Sequence, residues 1–200
     1  FRHFIYFPET LEFKPVTPEH LAMMNDMVRN IRRMADEEGL RRGRPILLVG
    51  RCLEDTELSK QSGLDVETWL KEDLVDMLSV VNSTEHTPPL DELTAFARRH
   101  NTPVYPMIAP LPTAVPDDIN DLQARMGNLP VWRGHVINLF AQGAAGIQFF
   151  NIFDPTLAQW RQLGEPQRLL TRDRTYVWDF RPSQRQGRPT FAQMRISRYK

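Results

Sequence analysis

Polar and titratable side chains follow the short apolar runs of this sequence, and several are of types that carry out chemistry. Two of them, Glu85 and Asp154, are carboxylates, and a carboxyl group can act as a general acid, a general base or a nucleophile. Arg51 offers a planar fork of N–H donors, and Tyr105 combines an aromatic ring with a hydroxyl group. The other candidates for contacting a substrate are Arg2, His3, Asn82, His86 and Asn151.

Each of these candidates also has a purely structural interpretation. Arg51 can pair with Glu54 or Asp55, which follow it closely in the sequence. Exposed carboxylates such as Glu85 and Asp154 are often solvated or cap helices. Aromatic side chains can form platforms for sugar rings but are more often part of a core. Because neighbouring residues of a strand point in opposite directions, at most one of Phe149 and Phe150 points to the interior.

The elements that position these residues alternate between helical and strand patterns. Thr17 and Pro18 are typical of a helix start, and Asp65 is a plausible N-cap for a second, short helix. Apolar runs separated by helical sequence predict β-α repeats, and therefore a parallel sheet with right-handed crossovers. The predicted strands are 46–50, 74–81, 104–108 and 146–153, and the predicted helices are 18–39, 66–73, 90–100, 119–141 with an interruption near 127–130, and 157–163.

This α/β pattern fits either a (β/α)8 TIM barrel or a doubly wound sheet. No glycine-rich phosphate-binding motif follows a predicted strand, so we favour the barrel. A complete barrel has about 250 residues, so we expect a C-terminal portion holding about strands 5–8. We assign residues 1–165 to this half-barrel and 166–200 to a β-type tail or the start of a β domain. We expect the missing N-terminal half of the barrel to be its partner.

Composition excludes several classes of function. Basic and acidic residues number 25 each, so no basic surface for nucleic acid is indicated, and no apolar run is long enough to cross a membrane. The single cysteine, Cys52, permits no intrachain disulfide and is expected to be a small buried residue. The histidines lack metal-ligand spacing and no lysine follows a predicted strand, so we expect no metal or cofactor and disfavour a lyase or aldolase.

Four segments of the sequence carry a resemblance to a known family: GLDVETWLKEDLVDML, RRHNTPVYPMI, AAGIQFFNIFD and WRQLGEPQRLLTRDRTYVWDF. With these segments in this order, the chain is similar to bacterial glycosyl-hydrolase-like TIM-barrel proteins, a poorly characterised family. The resemblance implies a bacterial barrel with a carbohydrate-related role, compatible with a periplasmic or extracellular location, and with strands 5 to 8 at the four predicted positions.

The implied reaction is hydrolysis of the glycosidic bonds of a polysaccharide or oligosaccharide. Such hydrolysis usually requires two carboxyl groups, and Glu85 and Asp154 are the predicted pair. In the large clan of retaining barrel hydrolases the acids follow strands 4 and 7, but the strand 7 segment VYPMIAPLP contains neither Asp nor Glu. The alternative is therefore a non-catalytic glycan-binding or scaffold barrel domain.

Overall fold

The computed structural model of the protein describes residues 16–81, 90–108, 129–150 and 153–176, which form an α/β arrangement. Helices and strands alternate along the chain, as the sequence predicted. In chain order the elements are α1 (Pro18–Arg42), β1 (Val49–Leu53), α2 (Thr56–Gln61), α3 (Val66–Lys71), β2 (Met77–Val81), α4 (Asp91–Arg99), β3 (Val104–Ile108), α5 (Leu129–Ala141), β4 (Gln148–Phe149), α6 (Ala158–Gln162) and α7 (Pro166–Leu170).

The four strands form one sheet in the order β1-β2-β3-β4. The β1–β2 and β3–β4 ladders are both parallel, which confirms the predicted parallel sheet. The chain divides into two compact units. The first comprises Phe1–Val81 and Pro89–Tyr105, and the second comprises Asn82–Pro88 and Pro106–Lys200.

Helix α1 begins where the sequence predicted but ends later. The Thr17 hydroxyl accepts a hydrogen bond from the His20 backbone N–H at 3.3 Å, and the Thr17 N–H donates to Nδ1 of His20. The predicted end at Gly39 is wrong, because the helix continues to Arg42 and stops at Gly43, whose φ of 67° is the left-handed conformation that favours glycine. Gly39 is buried inside the helix, where a Cβ would lie 3.2 Å from the Arg44 carbonyl oxygen.

Strand β1 lies three residues further along the chain than the predicted strand 46–50. Asp76 explains the later start, since its Oδ2 accepts hydrogen bonds from the Leu48 N–H at 2.6 Å and from Nη1 of Arg32 at 2.9 Å. The Leu48 N–H is therefore taken by a side chain, although the Leu48 carbonyl oxygen still accepts from the backbone N–H groups of Asp76 and Met77. The prediction that 46–50 is buried on both faces is also wrong, because Leu47 is 58% exposed and Val49 is 56% exposed.

The other predicted elements match in place but not always in extent. Strand β2 forms only the second half of the predicted 74–81, and helix α2 lies in the predicted loop 52–64. The predicted strand 146–153 shortens to Gln148–Phe149, with 151–152 outside the described residues. Helices α3, α4 and α6 and strand β3 confirm their predictions.

The two faces of the sheet in the first unit differ in burial. Side chains alternate between faces along a strand. On one face Cys52, Leu78, Val80 and Val104 are at most 2% exposed, so this face belongs to the core. We call the other face the open face, because Val49 and Arg51 are exposed on it and Met77, Val81 and Tyr105 are only half-buried. The open face carries Val49, Arg51, Leu53, Met77, Ser79, Val81 and Tyr105, of which Leu53 and Ser79 are buried.

The core of the second unit forms around α5, which contacts both α6 and α7. Val136 and Leu139 of α5 and Leu169 of α7 are fully buried. The Thr175 N–H donates to the Pro130 carbonyl oxygen at 2.9 Å, so the segment after α7 also lies against α5. Of the predicted β-type tail, Thr171–Tyr176 contains no strand, and 177–200 lies outside the described residues. Within the described part of the chain, no helix is both long and apolar enough to cross a membrane.

Candidate functional site

Three of the predicted site residues lie in the described part of the chain, and they belong to different local settings. Arg51 lies in β1, Tyr105 in β3, and Asp154 in a turn after β4. The predicted catalytic residue Glu85 and the predicted substrate contacts Arg2, His3, Asn82, His86 and Asn151 all lie outside the described residues.

The sheet brings Arg51 and Tyr105 into one row. Arg51 pairs with Ser79 in the β1–β2 ladder. The Leu78 N–H donates to the Pro103 carbonyl oxygen at 3.0 Å, and in a parallel ladder this bond places Ser79 opposite Tyr105. Paired residues of adjacent parallel strands point to the same face, and such strands lie about 4.8 Å apart. Arg51, Ser79 and Tyr105 therefore form a polar row across the open face.

This row lies within the strands rather than after them. Arg51 is the third residue of β1, so the prediction that it follows the end of its strand is wrong, and Tyr105 is the second residue of β3, inside the strand predicted at 104–108. Arg51 lies inside its strand because β1 begins and ends three residues later than predicted. Toward the C-terminal ends of the strands, the next row contains the apolar side chains of Leu53 and Val81.

The polar row combines groups that recognise hydroxyl-rich molecules. Arg51 supplies charged N–H donors and the hydroxyl of the half-buried Tyr105 can donate and accept, while Ser79 between them is only 6% exposed. The phenol ring of Tyr105 adds an apolar surface beside its hydroxyl. The row contains no carboxylate, so it can bind and orient a ligand but offers no acid or base for hydrolysis.

A buried carboxylate, Glu54, directly follows β1 and is only 1% exposed. Sequence reasoning considered it only as a partner for Arg51, although its place just after a buried strand was a usable signal. Burial, together with the nearby negative charge of Glu54, raises the pKa of Cys52 to about 12. Cys52 is itself 1% exposed, which confirms the prediction of a small buried residue.

The Asp154 carboxylate is held in a local turn. Its Oδ1 accepts hydrogen bonds from the Thr156 hydroxyl at 2.7 Å and from the Thr156 N–H at 2.9 Å. The hydroxyl bond and then the backbone bond lower the pKa of Asp154 below its usual value. A general acid needs a raised pKa to hold its proton at neutral pH. Asp154 therefore suits an ionised role, as a base, a nucleophile or a hydrogen-bond acceptor.

An aromatic cluster that the sequence analysis missed lies beside Asp154. The Trp160 Nε1–H donates to the Asp154 carbonyl oxygen at 2.7 Å. The Trp160 ring meets Phe149 edge-on with centroids 4.4 Å apart, and Phe149 in turn lies 6.0 Å from the Trp132 ring. Phe149, one of the predicted aromatic candidates, therefore joins a buried and an exposed tryptophan. Trp160 follows Asp154 by six residues in the sequence, and this spacing was the available signal. The indole comes within hydrogen-bonding distance of the Asp154 carbonyl oxygen only once α6 forms.

The described residues contain no group of three or more His, Cys, Asp or Glu side chains placed to hold a metal ion. Comparison of the chain with protein-family models and with curated proteins finds no match. The geometry of the polar row, the Asp154 turn and the aromatic cluster is therefore the basis for a functional assignment.

Proposed function

We propose that the chain is the C-terminal portion of a (β/α)8 barrel that binds a polysaccharide or oligosaccharide and hydrolyses its glycosidic bonds. The strand order supports the barrel. Four consecutive strands lie in sequence order without a reversal, whereas the doubly wound orders 3-2-1-4-5-6 and 2-1-3-4-5 contain no such run of four. Right-handed crossovers between strands added in one direction place every helix on the same face of the sheet.

The unequal burial of the two sheet faces fits this arrangement. A barrel strand has its helix-covered side outside and its other side toward the barrel interior. In the first unit the core face is buried, and the open face carries the exposed Val49 and Arg51. We assign the open face to the barrel interior, where the preceding strand-helix units would close around it.

The polar row of Arg51, Ser79 and Tyr105 is the observation that carries the carbohydrate assignment. A sugar presents several hydroxyl groups beside an apolar ring face, and the row offers the charged donors of Arg51 and the hydroxyl and aromatic ring of Tyr105 in one line. The long side chains of Arg51 and Tyr105 can extend toward the C-terminal ends of the strands, where barrel active sites lie. Their role is to bind and orient the substrate.

The hydrolytic step is assigned to Glu85 as the proton donor and Asp154 as the ionised partner. The lowered pKa of Asp154 supports the ionised role for this residue. The test is to assay the full-length protein on a polysaccharide panel. Glu85→Gln and Asp154→Asn should each lower kcat by at least about 100-fold, while the control Glu92→Gln, which changes an exposed carboxylate of α4, should have no effect. Unchanged turnover in both variants would remove both residues from catalysis.

A second candidate function is a non-catalytic glycan-binding barrel domain. The observation that favours it is the engagement of the Asp154 carboxylate by Thr156 in an exposed turn, which is a common structural role for aspartate. Binding of an oligosaccharide by the full-length protein, without release of reducing ends from any polysaccharide, would establish this function in place of hydrolysis.

A further inference from the structure

We propose that Trp160 and Asp154 form a binding subsite for one pyranose ring, in which the indole face stacks on the sugar and the carboxylate accepts its hydroxyl groups. This inference rests on the proposed carbohydrate function and names a site for it in the second unit. Asp154, proposed above as the ionised partner in hydrolysis, is in addition a ligand contact of this subsite.

The indole of Trp160 is both accessible and fixed in orientation. Trp160 is 43% exposed, whereas tryptophan side chains are highly buried on average. The hydrogen bond from its Nε1–H to the Asp154 carbonyl oxygen and the edge-on contact with Phe149 restrict rotation of the ring. A ring that is already ordered loses little conformational entropy when a ligand binds, which favours affinity.

The Asp154 carboxylate lies next to this ring and retains an accepting oxygen. Both hydrogen bonds from Thr156 use Oδ1, and Oδ2 has no hydrogen-bond partner among the described residues. Because the pKa of Asp154 is lowered, the carboxylate is ionised over the whole physiological pH range. Hydrogen bonds to a charged acceptor are stronger than those between neutral groups. The carboxylate can therefore hold the hydroxyl groups at the edge of a ring that stacks on Trp160.

A second exposed aromatic residue adjoins the same turn. Phe153 directly precedes Asp154 and is 85% exposed. Its ring adds apolar surface that a ligand bound at the turn can cover. Aromatic side chains on both sides of a carboxylate in the sequence suit a ligand with apolar ring faces and polar edges, which describes a pyranose chain.

The experiment measures the affinity of the full-length protein for soluble cello-, xylo-, malto- and chito-oligosaccharides by isothermal titration calorimetry. Trp160→Ala should weaken binding by about 30-fold, the scale at which a central tryptophan contributes to an interface. Asp154→Asn, which keeps an oxygen for Thr156 but removes the charge, should weaken it by about tenfold. Leu170→Ala is the matched control, since Leu170 is a 54% exposed apolar residue of the same unit, and it should bind as the unchanged protein does.

Wild-type affinity in a folded Trp160→Ala variant would overturn the subsite, as would the absence of binding to any saccharide of the panel. If Trp160→Ala does not fold, the subsite is tested by the saccharide affinities of Asp154→Asn and Trp160→Phe, because both variants retain an aromatic ring against Phe149. Binding of tetramethylammonium with no saccharide bound would also overturn it, by assigning the indole to a cation. Saccharide binding that depends on Trp160, without hydrolysis, would support the subsite and overturn the proposed hydrolase activity. Hydrolysis whose KM is unchanged in Trp160→Ala would support the hydrolase activity and overturn the subsite.

Discussion

The substitution Asn25→Ala tests how α1 holds α3 in place. Asn25 is 6% exposed and Trp69 is 4% exposed, so both lie in the core of the first unit. The Trp69 Nε1–H donates to Oδ1 of Asn25 at 2.9 Å, and Nδ2 of Asn25 donates to Oδ2 of Asp65 at 3.0 Å. Asp65 is the N-cap of α3 and accepts hydrogen bonds from the Thr68 N–H and hydroxyl. One amide side chain therefore links α1, the α3 cap and a buried indole.

The expected loss follows from these contacts. Removing the amide leaves the indole N–H buried without a partner, which costs about 1–3 kcal/mol, and loses a hydrogen bond to Asp65 of about 1 kcal/mol. Asp65 keeps its hydrogen bonds to Thr68 and is partly accessible to water, so losing its Asn25 partner adds little further free-energy cost. We expect Asn25→Ala to lower the free energy of opening of the α3–β2 region by about 2–4 kcal/mol.

The pH dependence of this loss is fixed by Asp65. Burial works to raise the pKa of Asp65, but hydrogen bonds from Thr68 and Asn25 outweigh it and lower the pKa. A carboxyl group whose pKa is lower in the folded state stabilises the fold above its unfolded pKa of about 4, and this contribution is lost as the pH falls through the folded value. The difference in opening free energy between Asn25→Ala and the unchanged protein should therefore become smaller below about pH 4.

Native-state hydrogen exchange of the full-length protein, read by mass spectrometry on peptides covering 64–81, measures the effect. The control is Asn30→Ala on the same helix, where the exposed side chain accepts only from Arg33. It should change the opening free energy by less than about 0.5 kcal/mol. A loss below about 1 kcal/mol for Asn25→Ala, or a loss equal to that of the control, would refute the proposed role of this amide.

Three further predictions concern other parts of the chain. Cys52 should react with a thiol reagent only after unfolding, because burial raises its pKa to about 12; rapid labelling of the native protein would contradict this. Gly134→Ala should destabilise the second unit by about 1–3 kcal/mol in a thermal unfolding assay, because the new Cβ would lie within 2.3 Å of the Thr175 carbonyl oxygen. Gly164→Ala, where a Cβ meets nothing within 4 Å, is its control and should be close to neutral. The 200-residue chain on its own should self-associate in sedimentation velocity, since a half-barrel leaves its interior face uncovered; a monomer that unfolds cooperatively would contradict the half-barrel.

Local signals in the sequence predicted much of the fold. Thr17 with Pro18, and Asp65 three residues before Thr68, marked helix starts that the structure confirms with hydrogen bonds. These signals succeed because a cap is satisfied by residues within one turn. The start of β1 could not be predicted in the same way, because it depends on Asp76, which lies 28 residues from Leu48 in the sequence.

The candidate site was predicted less completely, for the same reason. Arg51 and Tyr105 were identified by residue type, but their alignment through Ser79 depends on strand register, which only pairing determines. Trp160 was not predicted as a site residue, because its contacts with the Asp154 turn and with Phe149 depend on the packing of α6. Residue type identified candidates, whereas long-range packing decided which of them share a surface.

The central claim, that the open face binds a glycan through its polar row, is tested most directly by one affinity measurement. The full-length protein and its Arg51→Ala variant are titrated with the same oligosaccharides, and Arg44→Ala, which removes an exposed arginine before β1, is the matched control. Loss of charged hydrogen bonds from Arg51 should weaken binding by at least about tenfold, with Arg44→Ala unchanged. Equal affinities for Arg51→Ala and the unchanged protein, or binding to none of the oligosaccharides, would contradict it.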